Sequence, residues 1–285
     1  MTSLKLPALV AVFCFLFFLG ARGWGYDGHY AVCKIAQSRL SKPASDTVAR
    51  LLPRHIGGNF TSLCIWADRV KSRYLWSPSL HFINTPDHLC TYKYSRDCKD
   101  EDGEKGRCLT GAINNYTTQL LGQGSSRHRY NLSEALLFLS HFIGDIHQPL
   151  HVGFTTDKGG SNIDVHWYSR KQVLHNVWDE SIILTAEERY YRSHIQGLIT
   201  TIQQNISSAW ADQVKEWESC SSGQAPCPDT YATESVKAAC DWAYKGVSEG
   251  AALDDNYFLS RVPVVYQRLA QAGVRLAATL NRIFT

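Results

Sequence analysis

Apolar residues recur every three to four positions through most of this chain, the period of a helix that buries one face. Such runs cover residues 30–40, 63–75, 110–121, 133–146, 186–217, 230–243 and 257–283. Ser133, followed by an acidic residue and a long apolar run, reads as a helix start, and Pro149 ends that helix or kinks it just after Gln148. Polar, glycine-bearing stretches at 94–107, 122–129 and 219–229 read as surface loops. One segment breaks the pattern: residues 159–168 alternate and carry β-branched side chains, which predicts a short strand in a hairpin. The expectation is an all-α, mainly helical single domain with a small β-hairpin. No linker, repeat or low-complexity segment divides it.

The first 23 residues belong to a different class. Residues 8–19 are apolar, Lys5 precedes them without an acidic neighbour, and Ala21-Arg22-Gly23 puts small residues where signal peptidase needs them. The run is too short to persist as a membrane-spanning helix. A cleaved signal peptide over 1–23 is expected, followed by a domain over 24–285 that enters the secretory pathway, bound for the exterior or a vacuolar lytic compartment. The formal charge of +3 includes Lys5 and Arg22, so the remaining chain is near neutral, and any nucleic-acid contact must be local. Neither stable membrane association nor oligomerisation is expected. Of nine cysteines, Cys14 leaves with the leader. The other eight, Cys33, Cys64, Cys90, Cys98, Cys108, Cys220, Cys227 and Cys240, are an even set that predicts disulfides in an oxidising compartment. Cys98 with Cys108 and Cys220 with Cys227 would close short polar loops; the remaining pairing is open. Glycosylation signals stand at Asn59, Asn115, Asn131 and Asn205.

The candidate chemistry is concentrated in His141-Phe142-Ile143-Gly144-Asp145-Ile146-His147-Gln148-Pro149-Leu150-His151. On a helix His141 and Asp145 share a face and can hold one ion, while Gly144 leaves room for close approach. His175 and Asp179 repeat the spacing, and cleavage before Trp24 would create a free amine five residues from His29. A single His-x-x-x-Asp pair is a weak signal, since polar residues four apart often just hydrogen-bond. Two pairs, a further histidine at 151 and an amine beside His29 form a mix of nitrogen and carboxylate donors that suits zinc. His147 points to another helix face than Asp145 and is expected to hydrogen-bond rather than ligate.

These residues, with Trp24-Gly25-x-x-Gly28-His29, Trp66-Ala67-Asp68, His81-Phe82-Ile83, Gly159-Gly160-x-Asn162 and Leu174-His175-x-x-Trp178-Asp179, resemble the zinc-dependent single-strand nucleases of fungi and plants, distantly similar to bacterial zinc phospholipase C. Within that family the plant bifunctional enzymes are the nearest in pattern. The resemblance implies three zinc ions: one on Asp68, His81, His141 and Asp145, a second on the Trp24 amine and carbonyl with His29 and a bridging Asp145, and a third on His151, His175 and Asp179. It also implies hydrolysis of single-stranded RNA and DNA to 5′-phosphate products, together with release of phosphate from 3′-nucleotides. By the same correspondence Asp68 would activate the nucleophile, Lys71 would contact the scissile phosphate, Phe82 would stack a base, and Gly160 and Asn162 would meet base edges. Relatives commonly carry Asp at position 84; Asn84 can donate as well as accept, so their base preference need not carry over. A phospholipase would need a choline pocket and an apolar interfacial face, and a purely structural zinc protein would favour closed, cysteine-rich sites.

Overall fold

The computed structural model describes residues 24–122, 130–220 and 226–285. The signal-peptide reading lies outside them, as do most of the loop at 122–129 and the centre of that at 219–229. The chain order is α1 (Tyr26–Gln37), α2 (Lys42–Leu51), α3 (Trp66–Arg69), β1 (Ile83–Thr85), α4 (Tyr94–Asp97), α5 (Leu109–Leu121), α6 (Leu132–Asp145), β2 (Val152–Phe154), β3 (Asp164–Trp167), β4 (Arg170–Val173), α7 (Leu174–Asn176), α8 (Ile182–Tyr190), α9 (Ile195–Ser207), α10 (Ala211–Glu218), α11 (Pro228–Ala238), β5 (Ala251–Leu253) and α12 (Asp255–Ile283). Helices dominate, as the periodicity predicts, and β3 with β4 forms the expected antiparallel hairpin, to which β5 adds a parallel strand.

Long α12 organises the molecule. It packs against α1 so closely that a side chain at Gly273 would stand 2.6 Å from Ile35. Asp254 caps it by accepting from the Asn256 N–H (3.0 Å), one of the N–H groups a helix start leaves unsatisfied. Two turns apart on its inner face, Arg268 and Arg275 are buried and meet Glu234 of α11 at 2.9 and 2.5 Å. Charges this deep persist only when paired and hydrogen-bonded. Arg268 also donates to the His147 carbonyl (3.1 Å), so the cluster ties the chain just after α6 to the core.

Two sequence expectations change, and two features were not foreseen. Residues 63–75 are not one helix: a 3-10 turn at Thr61–Leu63, the four residues of α3, and further turns replace it. The 3-10 and α geometries both bring residues three to four apart onto one side, so periodicity alone does not tell a continuous helix from a run of turns. Residues 186–217 break into α8, α9 and α10, the first break falling at Arg192 and Ser193, both with left-handed backbone (φ 53° and 60°). Helix α2 went unforeseen, although Ser41 as cap and Pro43 in the first turn are a readable start signal. The pair β1 and β2, parallel in the register Ile83 to Val152, joins segments far apart in sequence and left no periodic trace.

The eight cysteines form four disulfides: Cys33–Cys64, Cys90–Cys240, Cys98–Cys108 and Cys220–Cys227. Both short-loop pairs are as expected. Among the described residues no helix is long and apolar enough to cross a membrane. Asn59, Asn115 and Asn131 are exposed and Asn205 is half-buried.

Candidate metal centre and cleft

Helix α6 carries His141 and Asp145 on one face, both without solvent exposure. Asp145 is the hub: one carboxylate oxygen lies 2.8 Å from His81 Nδ1 and 3.2 Å from His141 Nε2, and the other lies 3.1 Å from His29 Nε2. Gly144 is required beside it, because a Cβ there would stand 2.8 Å from the ring of His29. His29 stacks on His141 with ring centres 3.8 Å apart. Trp24 is fully buried at this junction, and the Gly25 N–H donates to the Asp179 carbonyl (2.9 Å), which anchors the start of α1 against the second His/Asp pair.

Distant segments supply the remaining donors. The Cys33–Cys64 bond ties the turn before α3 to α1, and the Cys64 carbonyl accepts the Nδ1 proton of His141 (2.7 Å), leaving Nε2 aimed at Asp68 (3.4 Å). The strand pair sets His81 and His151 side by side, each just ahead of its strand, and His151 Nδ1 donates to the His81 carbonyl (2.6 Å). His175 is fixed in the same way by the Gly159 carbonyl (2.6 Å). After it the chain widens into a π-helical turn, Val177–Ser181, a form frequent at functional sites, which places Asp179 3.3 Å from His175 Nε2.

Three groups result, His29-His141-Asp145, Asp68-His81-His141 and His151-His175-Asp179, each compact enough for one ion. The first two share His141, and Asp145 stands between them. Several observations fit a cation in each. With both Nδ1 atoms donating, His151 and His175 face each other through Nε2 lone pairs 3.2 Å apart, an arrangement that repels without a cation between them. Ligands about 2.0–2.1 Å from one tetrahedral zinc stand at about that separation. Buried ring nitrogens with no hydrogen-bond partner include His29 Nδ1 and His81 Nε2.

The electrostatics divide the donors into two kinds. Burial pushes His29 down to about 4 and His81 down to about 3, keeping both imidazoles neutral as ligands must be. For His141 burial is outweighed by the Asp145 and Asp68 carboxylates, which hold it up at about 10. Burial also raises Asp179 well above the usual carboxylate range, with Asp145 and Asp68 adding to it against a hydrogen bond from Gln148. A divalent ion removes the need for these protons.

The centre opens on a cleft of about 520 Å³ whose lining includes Lys71, Phe82, Asn84 and His175. Lys71 Nζ is 2.6 Å from Asp68. Phe82 is half-buried, stands apart from the packed core and lines the cleft. Gly160 and Asn162 are not in that lining. Gly160 is buried against Leu150 and Leu174, and the Asn162 amide turns onto the Thr156 carbonyl (3.2 Å); Gly159, Ser161 and Lys158 line the cleft instead. Arg107 and the acidic run Asp100, Glu101 and Asp102 also line it, and nothing in their spacing marked them beforehand. His147 faces away, donating to the Ile143 carbonyl (2.7 Å) and accepting from Arg275 (2.9 Å). A second cavity of about 600 Å³, lined by Asp27, Glu187 and His194, contains none of the nine donor residues.

A helical scaffold that buries adjoining His/Asp groups beside an open, cation-bearing cleft has the build of a metal-dependent hydrolase. The chain belongs to the S1/P1 nuclease family, whose sequence profile matches residues 24–285, and it is a nuclease of that zinc-dependent family. It is 62% identical to Endonuclease 2 of Arabidopsis thaliana over 92% of this chain and 91% of that protein, and 49% identical to Endonuclease 4 of the same plant over 93% and 91%. Similarity extends to Nuclease P1 of Penicillium citrinum, 31% identical over 91% of this chain and 97% of that protein.

Proposed function

We propose that the protein, once freed of residues 1–23, is a secreted endonuclease that cleaves single-stranded RNA and DNA to 5′-phosphate products and also releases phosphate from 3′-nucleotides. The observation that carries this reading is the continuity of the His/Asp groups with a cleft that presents a lysine and a free aromatic face together. Zinc would be held by Asp68, His81, His141 and Asp145, by His29 with the Trp24 amine and carbonyl, and by His151, His175 and Asp179, three ions in all, and would supply Lewis acidity toward the phosphate and its attacking water.

The chain's own groups do the rest. Asp68 orients the attacking water and takes its proton on a carboxylate oxygen. Lys71, held by Asp68, neutralises a non-bridging oxygen of the scissile phosphate. Phe82 stacks the adjoining base, and Asn84 meets its edge with a group that can donate or accept. A base reaches Phe82 only out of a duplex stack, which gives the single-strand preference. Disulfides and glycosylation signals at exposed asparagines agree with an extracellular or vacuolar protein.

Metal analysis of the purified mature protein, paired with product mapping on single-stranded RNA and DNA, tests the whole reading. About three zinc ions per chain and 5′-phosphate ends are expected. Phospholipid hydrolysis in place of nucleic-acid cleavage would overturn it. A narrower test is Phe82→Ala, expected to weaken substrate binding by about 1–3 kcal/mol, the worth of one stacked base, with zinc content unchanged. Loss of folding would instead make Phe82 a core residue.

A further inference from the structure

The cations lining the cleft are not equivalent. Lys71 is paired with Asp68 at 2.6 Å. Arg107 is spoken for as well: its Nε lies 2.8 Å from Asp100, Nη1 lies 3.3 Å from Glu104, and Nη2 donates to the Trp76 carbonyl. Lys158 is exposed and, among the described residues, no carboxylate pairs with it.

Its backbone makes the side chain harder to explain by packing. Lys158 has φ of 52°, in the left-handed region, directly ahead of Gly159 (63°) and Gly160 (80°). Only glycine occupies that region without penalty, so a third glycine would relieve the turn. The turn is nonetheless rigid. The Asp157 carboxylate accepts from the Gly160 N–H (2.7 Å) and the Tyr244 hydroxyl (3.0 Å), and the Asp157 carbonyl accepts from the Asn162 N–H (3.0 Å). Gly159, directly after Lys158, supplies the carbonyl that orients His175. An ammonium is thus mounted at an energetic cost on a braced turn in the wall of the cleft, and such strain is typical of positions kept for a ligand.

We propose that Lys158 binds a phosphate of the substrate strand other than the one being cleaved, and so favours polynucleotides over mononucleotides. This rests on the single-strand reading above. Lys71 serves the scissile phosphate in both substrate classes; a mononucleotide has no second phosphate to offer Lys158. The contact is ionic and made equally before and during reaction, so it acts on KM rather than kcat.

The test compares Lys158→Gln, Lys158→Gly and Lys158→Arg with the wild-type zinc-loaded protein, using short oligo(dT) strands and 3′-AMP. Both neutral variants are expected to raise KM for oligo(dT) by about twofold to fivefold with kcat unchanged, the cost of one exposed phosphate contact. They should also lower the slope of log kcat/KM against log salt by about 0.7, the value for one phosphate on a single strand. Rates with 3′-AMP and zinc content should stay at wild-type values, and Lys158→Arg should restore both KM and salt slope. Equal losses on the two substrates, an unchanged salt slope, or zinc loss in the neutral variants would overturn the proposal. A wild-type protein that cleaves 3′-AMP but not oligo(dT) would instead overturn the single-strand reading, and the subsite with it.

Discussion

Asp145→Asn is expected to abolish nuclease and 3′-nucleotidase activity together, lowering kcat/KM by about a thousandfold or more, beyond the ten- to hundredfold typical of losing a residue that merely supports a ligand. The substitution is nearly isosteric and lies at the end of α6, so the fold should survive. The carboxylate, however, lies within 3.2 Å of His29, His81 and His141 at once. An amide offers one neutral oxygen where two anionic ones are needed, and the carboxylate that stands between the adjoining groups is lost. Zinc content should fall with activity, and a variant with full zinc and near-normal turnover would refute the bridging role. His147→Ala, two residues on, is the contrast. It removes the acceptor for buried Arg275, whose hydrogen bond to the ring is 2.9 Å, so it should cost about 1–3 kcal/mol of stability, the penalty for an unsatisfied buried donor. Zinc and turnover should persist below the lowered melting temperature. Equal inactivation with metal loss would move His147 into the centre.

The second large effect concerns the mature amino terminus. Trp24 is fully buried at the junction of His29 and Gly144, and the adjacent Gly25 N–H is tied to Asp179. If the Trp24 amine is a ligand, any residue left in front of it turns that amine into an amide, which has no lone pair to give. A protein extended by one or two residues should therefore fold, bind about one zinc fewer and lose most of its activity, since a site missing a ligand loses affinity. Signal cleavage then becomes an activation step as well as an export step. Full metal content and activity in a protein whose extension is verified by mass would show that Trp24 only packs.

Much of the centre was legible because it is local. His141 and Asp145, and again His175 and Asp179, are four residues apart, and helical geometry alone brings such pairs together. Gly144 carried its own meaning, as a place where something must approach closely, and that something is His29. Asp68 and His81 were different. Their immediate sequence has no ligand spacing, and they were found through resemblance to a family rather than through any physical signal in the chain. The two base-edge residues carried over in the same way, Gly160 and Asn162, stand outside the cleft lining, whereas their neighbours Lys158, Gly159 and Ser161 stand in it.

What the sequence determined by itself is whatever depends on neighbours within a few positions: the helical character, the hairpin, the two short-loop disulfides and the paired donors of α6 and of the turn after α7. Tertiary structure alone decided the rest. The pairing of β1 with β2 sets His81 against His151, the Cys33–Cys64 bond positions the carbonyl that orients His141, and Cys90–Cys240 joins segments 150 residues apart. The reason is physical. Local geometry is dictated by backbone sterics and hydrogen-bond periods that any short window displays, whereas a contact between distant segments exists only after the whole core has been buried, and no residue in either segment encodes its partner.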